Sequence, residues 1–355
     1  METSKPSRGY QKTLLQVAKG LLCDSVPFWF MRQAGRYLPE YRELRKKAGG
    51  FLEMVYNPER ASEVTMQPIR RYSMSGAILF SDILVIPHAL GQEVRFESGE
   101  GPKLDPIRSH DDFSKLKNED IDQTLSPIYQ TLREVSSKLQ SEKFDDTALI
   151  GFAGSPWTVA CYMVEGGGSK QFSHVKNWAY NNPETFQKLI DRVSAATIHY
   201  LDQQILNGVE IIQLFDSWVG ILDQENFDRW VIEPTKEIIS AIKSKHPEIS
   251  VIGFPREAGS KMIDYVQKTG ISVLGVDYAQ NPSWVAQNLP HEIPIQGNLD
   301  PTYLLDGGAE MERAAQNLLE QFQRRPFIFN LGHGVIKETK PESVEKLCQI
   351  IREAK

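Results

Sequence analysis

Cysteine is scarce and unpatterned in this chain. Cys23, Cys161 and Cys348 are the only three, far apart and odd in number. Without a Cys-x-x-Cys pair, neither a disulfide framework nor a structural zinc site is expected, and a reducing compartment is implied. We take that compartment as the cytoplasm and leave a plastid address open. No apolar run has the length of a membrane span, so no membrane is expected as a partner. Met1 to Gly20 has no apolar core of the kind a secretory signal needs. Positive charge is not in excess either. Lys and Arg number 40 against 46 Asp and Glu, a net charge of −6, which argues against a nucleic-acid partner.

Several chemical motifs are missing as well. No Gly-x-Gly-x-x-Gly follows an apolar run, so a dinucleotide fold has no support. No Gly-x-Ser-x-Gly elbow marks a hydrolase nucleophile. Cys161 has no basic partner at a telling spacing and makes a poor nucleophile candidate. Glu165-Gly166-Gly167-Gly168-Ser169 lacks the Lys-Ser/Thr ending of a phosphate loop and is expected to form a mobile loop over a pocket.

What is present begins with Phe28-Trp29-Phe30-Met31-Arg32-Gln33-Ala34-Gly35-Arg36-Tyr37-Leu38-Pro39-Glu40. The apolar start reads as a buried strand. Gly35 lets the backbone bend just after it. Two guanidiniums would then stand past the strand end, suited to carboxylates or phosphates and charged at any working pH. The plainer alternative pairs Arg32 and Arg36 with Glu40 and Glu43 on a surface.

Further short apolar runs follow at Ala77–Phe80, Ala148–Phe152, Glu210–Phe215, Val251–Phe254, Val273–Val276, Ile293–Gln296 and Phe327–Asn330. Helical patterns separate them, among them Pro58–Arg71 with Asn57 as N-cap, Ser126–Leu139, Pro183–Leu206 and Gln224–Lys245. Strands separated by helices pair in parallel. Counting the opening run, eight units predict an α/β fold: a single (β/α)8 TIM barrel over residues 1–355, with residues 1–26 as an N-terminal arm. The runner-up is an open doubly wound sheet. The polar stretch from Gly99 to Asp122 reads as an insertion. In a barrel the site lies at the C-terminal ends of the strands, where this sequence has Arg32, Asp82, Asp216, Ser217, Asp277, Asn298 and His333. Asp82 is set among apolar residues, where it reads either as a helix cap or as an acid that binds N–H donors and stabilises a developing positive charge. His333 lies between two glycines that permit close approach of a ligand. Tyr162 and Ser217 carry hydroxyls able to donate to a carboxylate.

In their order, these motifs resemble the uroporphyrinogen decarboxylase family along nearly the whole chain. The match rests on Pro27 to Arg42, on Leu79-Phe80-Ser81-Asp82-Ile83-Leu84 and on Gly151-Phe152-Ala153-Gly154-Ser155-Pro156-Trp157-Thr158. It continues through Tyr162 to Ser169, Gln213-Leu214-Phe215-Asp216-Ser217-Trp218 and Asn330-Leu331-Gly332-His333-Gly334. The resemblance implies a homodimer that needs no metal or organic cofactor and converts uroporphyrinogen III to coproporphyrinogen III by four decarboxylations. Its pattern carries over onto Arg32, Gln33, Ala34, Gly35, Arg36, Asp82, Tyr162, Ser217 and His333, with Arg45 as a further match. Asp82 and Arg32 are the implied catalytic pair. Position 216 varies in the family, so Asp216 has no implied role. Two rivals are a corrinoid-dependent methyltransferase of the same superfamily and a non-catalytic tetrapyrrole carrier. The first uses zinc through a His-x-Cys pair, and none of the seven histidines here has a Cys two residues on. The second would need the arginines but not Asp82.

Overall fold

The computed structural model describes residues 12–97, 101–117 and 121–354. Residues 1–11 of the expected arm, and parts of the expected 99–122 insertion, lie outside the described residues. The strands are β1 Gly76–Ile78, β2 Val94–Glu97, β3 Gly101–Leu104, β4 Ala148–Gly154, β5 Ile211–Asp216, β6 Ser250–Pro255, β7 Val273–Gly275, β8 Ile295–Leu299 and β9 Phe327–Leu331. Seven of them form one curled parallel sheet in the order β1-β4-β5-β6-β7-β8-β9. The strand order follows chain order without reversal, so the switch point of a doubly wound sheet is absent. β2 and β3 form a separate antiparallel hairpin, β3 inside the expected insertion and β2 just ahead of it.

The parallel strands are short apolar runs because both of their faces are covered. All seven residues of β4 are buried. On the outer face lie long helices, including Pro58–Tyr72, Ile121–Ser141 and Pro183–Leu206. The first begins as its sequence predicts, with the Asn57 side chain accepting from the Arg60 N–H at 3.0 Å and Pro58 in the first turn. The expected helix Gln224–Lys245 is instead three pieces, with a π-helical turn at Asp228–Ile232 between Gln224–Phe227 and Glu233–Lys245. The N-terminal helix spans Thr13–Ala18, and Gly20 follows in a left-handed conformation.

Eight strands were expected, and seven are in the sheet. The opening run contributes only an isolated parallel bridge, Phe28 to Phe329. The Trp29 N–H donates to the Phe329 carbonyl at 3.3 Å, and the Phe329 N–H to the Pro27 carbonyl at 2.9 Å. On its other side the Ser75 N–H donates to the Phe28 carbonyl at 2.9 Å. The run stays this short for two local reasons. Pro27 has no N–H to add to a ladder, and Arg32 turns the chain away at a φ of +59°.

The inside of the curl is filled at the strands' N-terminal end. Trp29, Ile150, Ile211, Ile252, Val273 and Ile328 pack there with Leu14, Leu15 and Val17 of the first helix. A buried polar row crosses the same space. The Trp29 indole donates to Gln296 at 2.9 Å, and Gln296 donates to Gln213 at 2.9 Å. With that end closed, the concave space left to a ligand lies at the opposite end. Among the described residues no helix is long and apolar enough to cross a membrane.

Candidate active site

A cavity of about 960 Å³ opens at the C-terminal ends of the parallel strands. Arg32, Gln33, Ala34, Gly35, Arg36, Arg45, Asp82, Tyr162, Ser217 and His333 all line it. They come from the opening run and the ends of β1, β5 and β9, and from two helices. The hairpin adds Phe96, Gly101 and Pro102 to one wall.

The segment after Phe30 is held by its own backbone. Gln33 is almost fully buried, accepting from the Phe30 N–H at 3.0 Å and donating to the Gly76 carbonyl at 2.9 Å. It anchors the loop to β1 and shows the cavity an edge rather than a free amide. The Met31 N–H donates to Asn330 at 3.0 Å, and the Val335 N–H to the Met31 carbonyl at 2.8 Å, which ties the loop to the end of β9. Arg32 lies against Gly334. A β-carbon on that glycine would fall 2.3 Å from the Arg32 Cδ, so only glycine leaves room for the guanidinium's stem.

The surface-pair alternative for the arginines fails. Glu40 is engaged by Arg71 at 2.9 Å and Glu43 by Lys46 at 2.9 Å. Among the described residues no carboxylate pairs with Arg32, Arg36 or Arg45. The Arg45 guanidinium donates to the Tyr41 hydroxyl at 3.2 Å and lies 6.0 Å from the Phe51 ring centre. Three exposed cations converge on one cavity inside an acidic protein, with Asp82, Asp300 and Glu338 also on its wall, a balance that favours an anionic ligand.

Asp82 faces the same space. Its Oδ1 accepts from the Leu84 N–H at 2.8 Å ahead of the short helix Val85–Ala89, so it does act as a local turn cap. Burial pushes its carboxyl up to about 6, against the pull of the Leu84 N–H and of Arg32. Burial and Asp82 together raise the Tyr162 phenol, which therefore stays a proton donor.

His333 is held neutral. Burial lowers it to about 4, with Arg32 and Arg256 adding to the effect. Its Nδ1 accepts from the Gly334 N–H at 2.7 Å. The remaining proton is then on Nε2, which leaves one defined donor. Arg256 was missed by sequence reasoning. It follows β6, lines the cavity, and has a buried Nε without a protein partner, while its terminal nitrogen pairs with Glu257. Its place one residue past a strand-ending Pro255 was the signal available.

Three other strand-end residues do not face the cavity. Asp277 accepts from the Glu257 and Ala279 N–H groups at 2.8 and 2.9 Å. Asn298 donates to the Asp277 and Gln280 carbonyls, both at 2.9 Å. Both fix loops. Asp216 is fully buried with Thr158 donating to it. The glycine-rich stretch is not a lid. Gly167 bridges Lys103, and the Leu104 N–H donates to the Gly166 carbonyl at 3.0 Å, so the stretch buttresses the hairpin. Cys161 is buried with its thiol pushed well up, as suits an inert packing residue. Among the described residues no three His, Cys, Asp or Glu side chains are grouped to hold a metal ion.

Known proteins resemble this chain along nearly its whole length. The family model for uroporphyrinogen decarboxylase (URO-D) matches residues 10–354. A uroporphyrinogen decarboxylase of Rhodospirillum rubrum is 47% identical over 349 residues, covering 98% of this chain and 99% of that one. One from Novosphingobium aromaticivorans is 49% identical over 339 residues, covering 96% and 98%. Among solved structures, a methyltransferase from Methanosarcina mazei superposes with a TM-score of 0.80 at 17% identity, covering 96% of this chain and 97% of that one. At that identity the likeness is one of fold.

Proposed function

The chain belongs to the uroporphyrinogen decarboxylase family, and from that premise we propose that it removes the four acetate carboxyl groups of uroporphyrinogen III as CO2, giving coproporphyrinogen III. The observation that carries this reading is Asp82 sharing a cavity with Arg32, Arg36 and Arg45, none of which forms a salt bridge with a carboxylate among the described residues.

The substrate has four pyrrole N–H groups around its centre and eight carboxylates outside. A single acceptor suits the centre and basic groups suit the outside. Protonating a pyrrole carbon creates a cationic ring, and that ring takes the electrons released when CO2 leaves. Asp82 would stabilise the cation. Two unit charges about 4 Å apart are worth on the order of 4 kcal/mol at an effective dielectric of about 20. Arg32 would hold the reacting acetate at the strand end and assist proton delivery. A guanidinium is a poor acid by itself, so the proton must reach the site by another group. Arg36, Arg45, Arg256 and the Nε2–H of His333 would bind the remaining carboxylates, with Tyr162 and Ser217 orienting them. The backbone of Gln33, Ala34 and Gly35 shapes the wall between the two arginines.

The same reading extends to architecture. Pro27–Phe30 would serve as the eighth stave of a closed barrel, supported by its bonds to Phe329 on one side and Ser75 on the other. A homodimer and a cytoplasmic or plastid address belong to the proposal. Tyr278, at the cavity wall, and Tyr303 stand exposed and offer apolar surface to a second copy; sedimentation at several concentrations tests that. The activity itself is tested by incubation with uroporphyrinogen under reducing conditions and separation of products by carboxylate number. Stepwise loss of four carboxylates is expected, and unchanged octacarboxylate would overturn the proposal.

A further inference from the structure

Next to Asp82, whose neighbour Ser81 is on the cavity wall, begins a set of hydroxyls that are buried without partners. Ser81 Oγ, Tyr200 OH and Tyr129 OH each lack a protein hydrogen bond although none reaches solvent. Tyr200 is on the helix Pro183–Leu206 and Tyr129 on Ile121–Ser141, and their ring centres are 6.2 Å apart. Tyr200 lies within electrostatic reach of Ser81, and Tyr129 of Asp122, though neither phenol has a hydrogen-bond partner. Asp122 is at the surface, where it meets His199 Nε2 at 2.6 Å. Tyr56, bonded to His88 Nδ1 at 2.8 Å, borders the same cluster, and its phenol feels both Tyr200 and Asp82.

Stranded hydroxyls are costly, and bound water is the usual partner for buried polar groups that protein leaves unsatisfied. Ser81 adjoins Asp82 in the chain, Tyr200 and Tyr129 lie ring to ring, and Asp122 is at the surface, so these groups mark a polar line through the helix layer. Each decarboxylation breaks a C–C bond, releases CO2, and forms a C–H bond with one proton taken up. Four such steps consume four protons while the octacarboxylate fills the cavity mouth.

We propose that Asp122, Tyr129, Tyr200 and Ser81 line a hydrated proton-supply path from the surface to Asp82. The path rests on the decarboxylase reading. Hydroxyls and water pass protons without ionising, each accepting one on its oxygen and giving up its own. These phenols, which burial raises, remain protonated and serve as relays. They are positioning residues, since none touches the reacting atoms.

Tyr200→Phe and Tyr129→Phe remove one oxygen each and keep the packing, so both variants should fold. In the full-length enzyme, each is expected to lower kcat about tenfold, less than the ~10²–10⁴-fold of a positioned acid itself. KM should stay unchanged and the solvent deuterium isotope effect on kcat should rise. Tyr265→Phe removes a hydroxyl that is equally buried and unpartnered, but on the far side of the curl, and it should leave all three quantities at wild-type values. Wild-type turnover with kcat and isotope effect unchanged in Tyr200→Phe would overturn the path alone. A wild-type enzyme that leaves uroporphyrinogen intact would overturn the decarboxylase reading and the path with it.

Discussion

At the end of β1, Asp82 borders the cavity with Arg32 as its charged neighbour. At the end of β5, Asp216 is sealed in the interior, with Thr158 donating to one oxygen and the other left without a partner. Burial raises both carboxyls, to about 6 and about 7 respectively. A shifted carboxyl is a common mark of a functional site, yet by that measure alone the sealed one would be chosen. The difference between them is access. Asp82 can meet a ligand and Asp216 cannot, so the same desolvation acts on the proposed catalytic group in one place and on an enclosed, structural one in the other.

The strongest test of that contrast is Asp82→Asn. Losing a cation stabiliser worth on the order of 4 kcal/mol should cut kcat by about 10³-fold, while equilibrium binding of substrate is retained. Full turnover in this variant would erase the distinction. Next is the pH profile of kcat/KM. Asp82 must be ionised to act, so activity should fall about tenfold per unit below about pH 6. The limb should persist in Asp216→Asn, and His333, already neutral, should add no inflection between pH 5 and 8. Arg36→Ala should raise KM for the octacarboxylate roughly tenfold, in line with a lost charged hydrogen bond, and raise it less for partly decarboxylated intermediates. The smallest effect on turnover belongs to Asp216→Asn, which should match wild type. Its signature is in stability instead. The unfolded carboxyl ionises near pH 4 and the folded one near 7, so between those values the native state holds a proton that the unfolded state has released. Stability should therefore decline as pH rises across that window, by a few kcal/mol at most on this linkage argument. Midpoint temperatures measured from pH 4 to 7 should show the slope in wild type and a flatter line in the variant.

The strand ends were legible because buried parallel strands are written as short apolar runs, and the positions just past them are easy to find. Which of those positions face the cavity was not legible. Asp82, Asp216 and Asp277 look alike in sequence, and only the turn that follows each decides whether its carboxyl meets ligand, interior or loop amides. Arg256 carries no such mark for a related reason: β6 runs through Pro255, so the arginine sits past a residue that does not read as a strand end. The glycines at 166–168 were read as freedom to move, whereas Gly167 meets Lys103 across a bridge and is part of a wall. The opening run shows the limit for the fold. Its apolarity marked it as a strand, but Pro27 and the turn at Arg32 restrict it to a single bridge between β9 and the approach to β1.

The contact between Gly334 and the stem of Arg32 has a consequence for both positions. Any larger residue at 334 would push the Arg32 side chain from its present place. Two positions some three hundred residues apart thus share one packing constraint, and the reach of the guanidinium into the cavity depends on the absence of a side chain at the other.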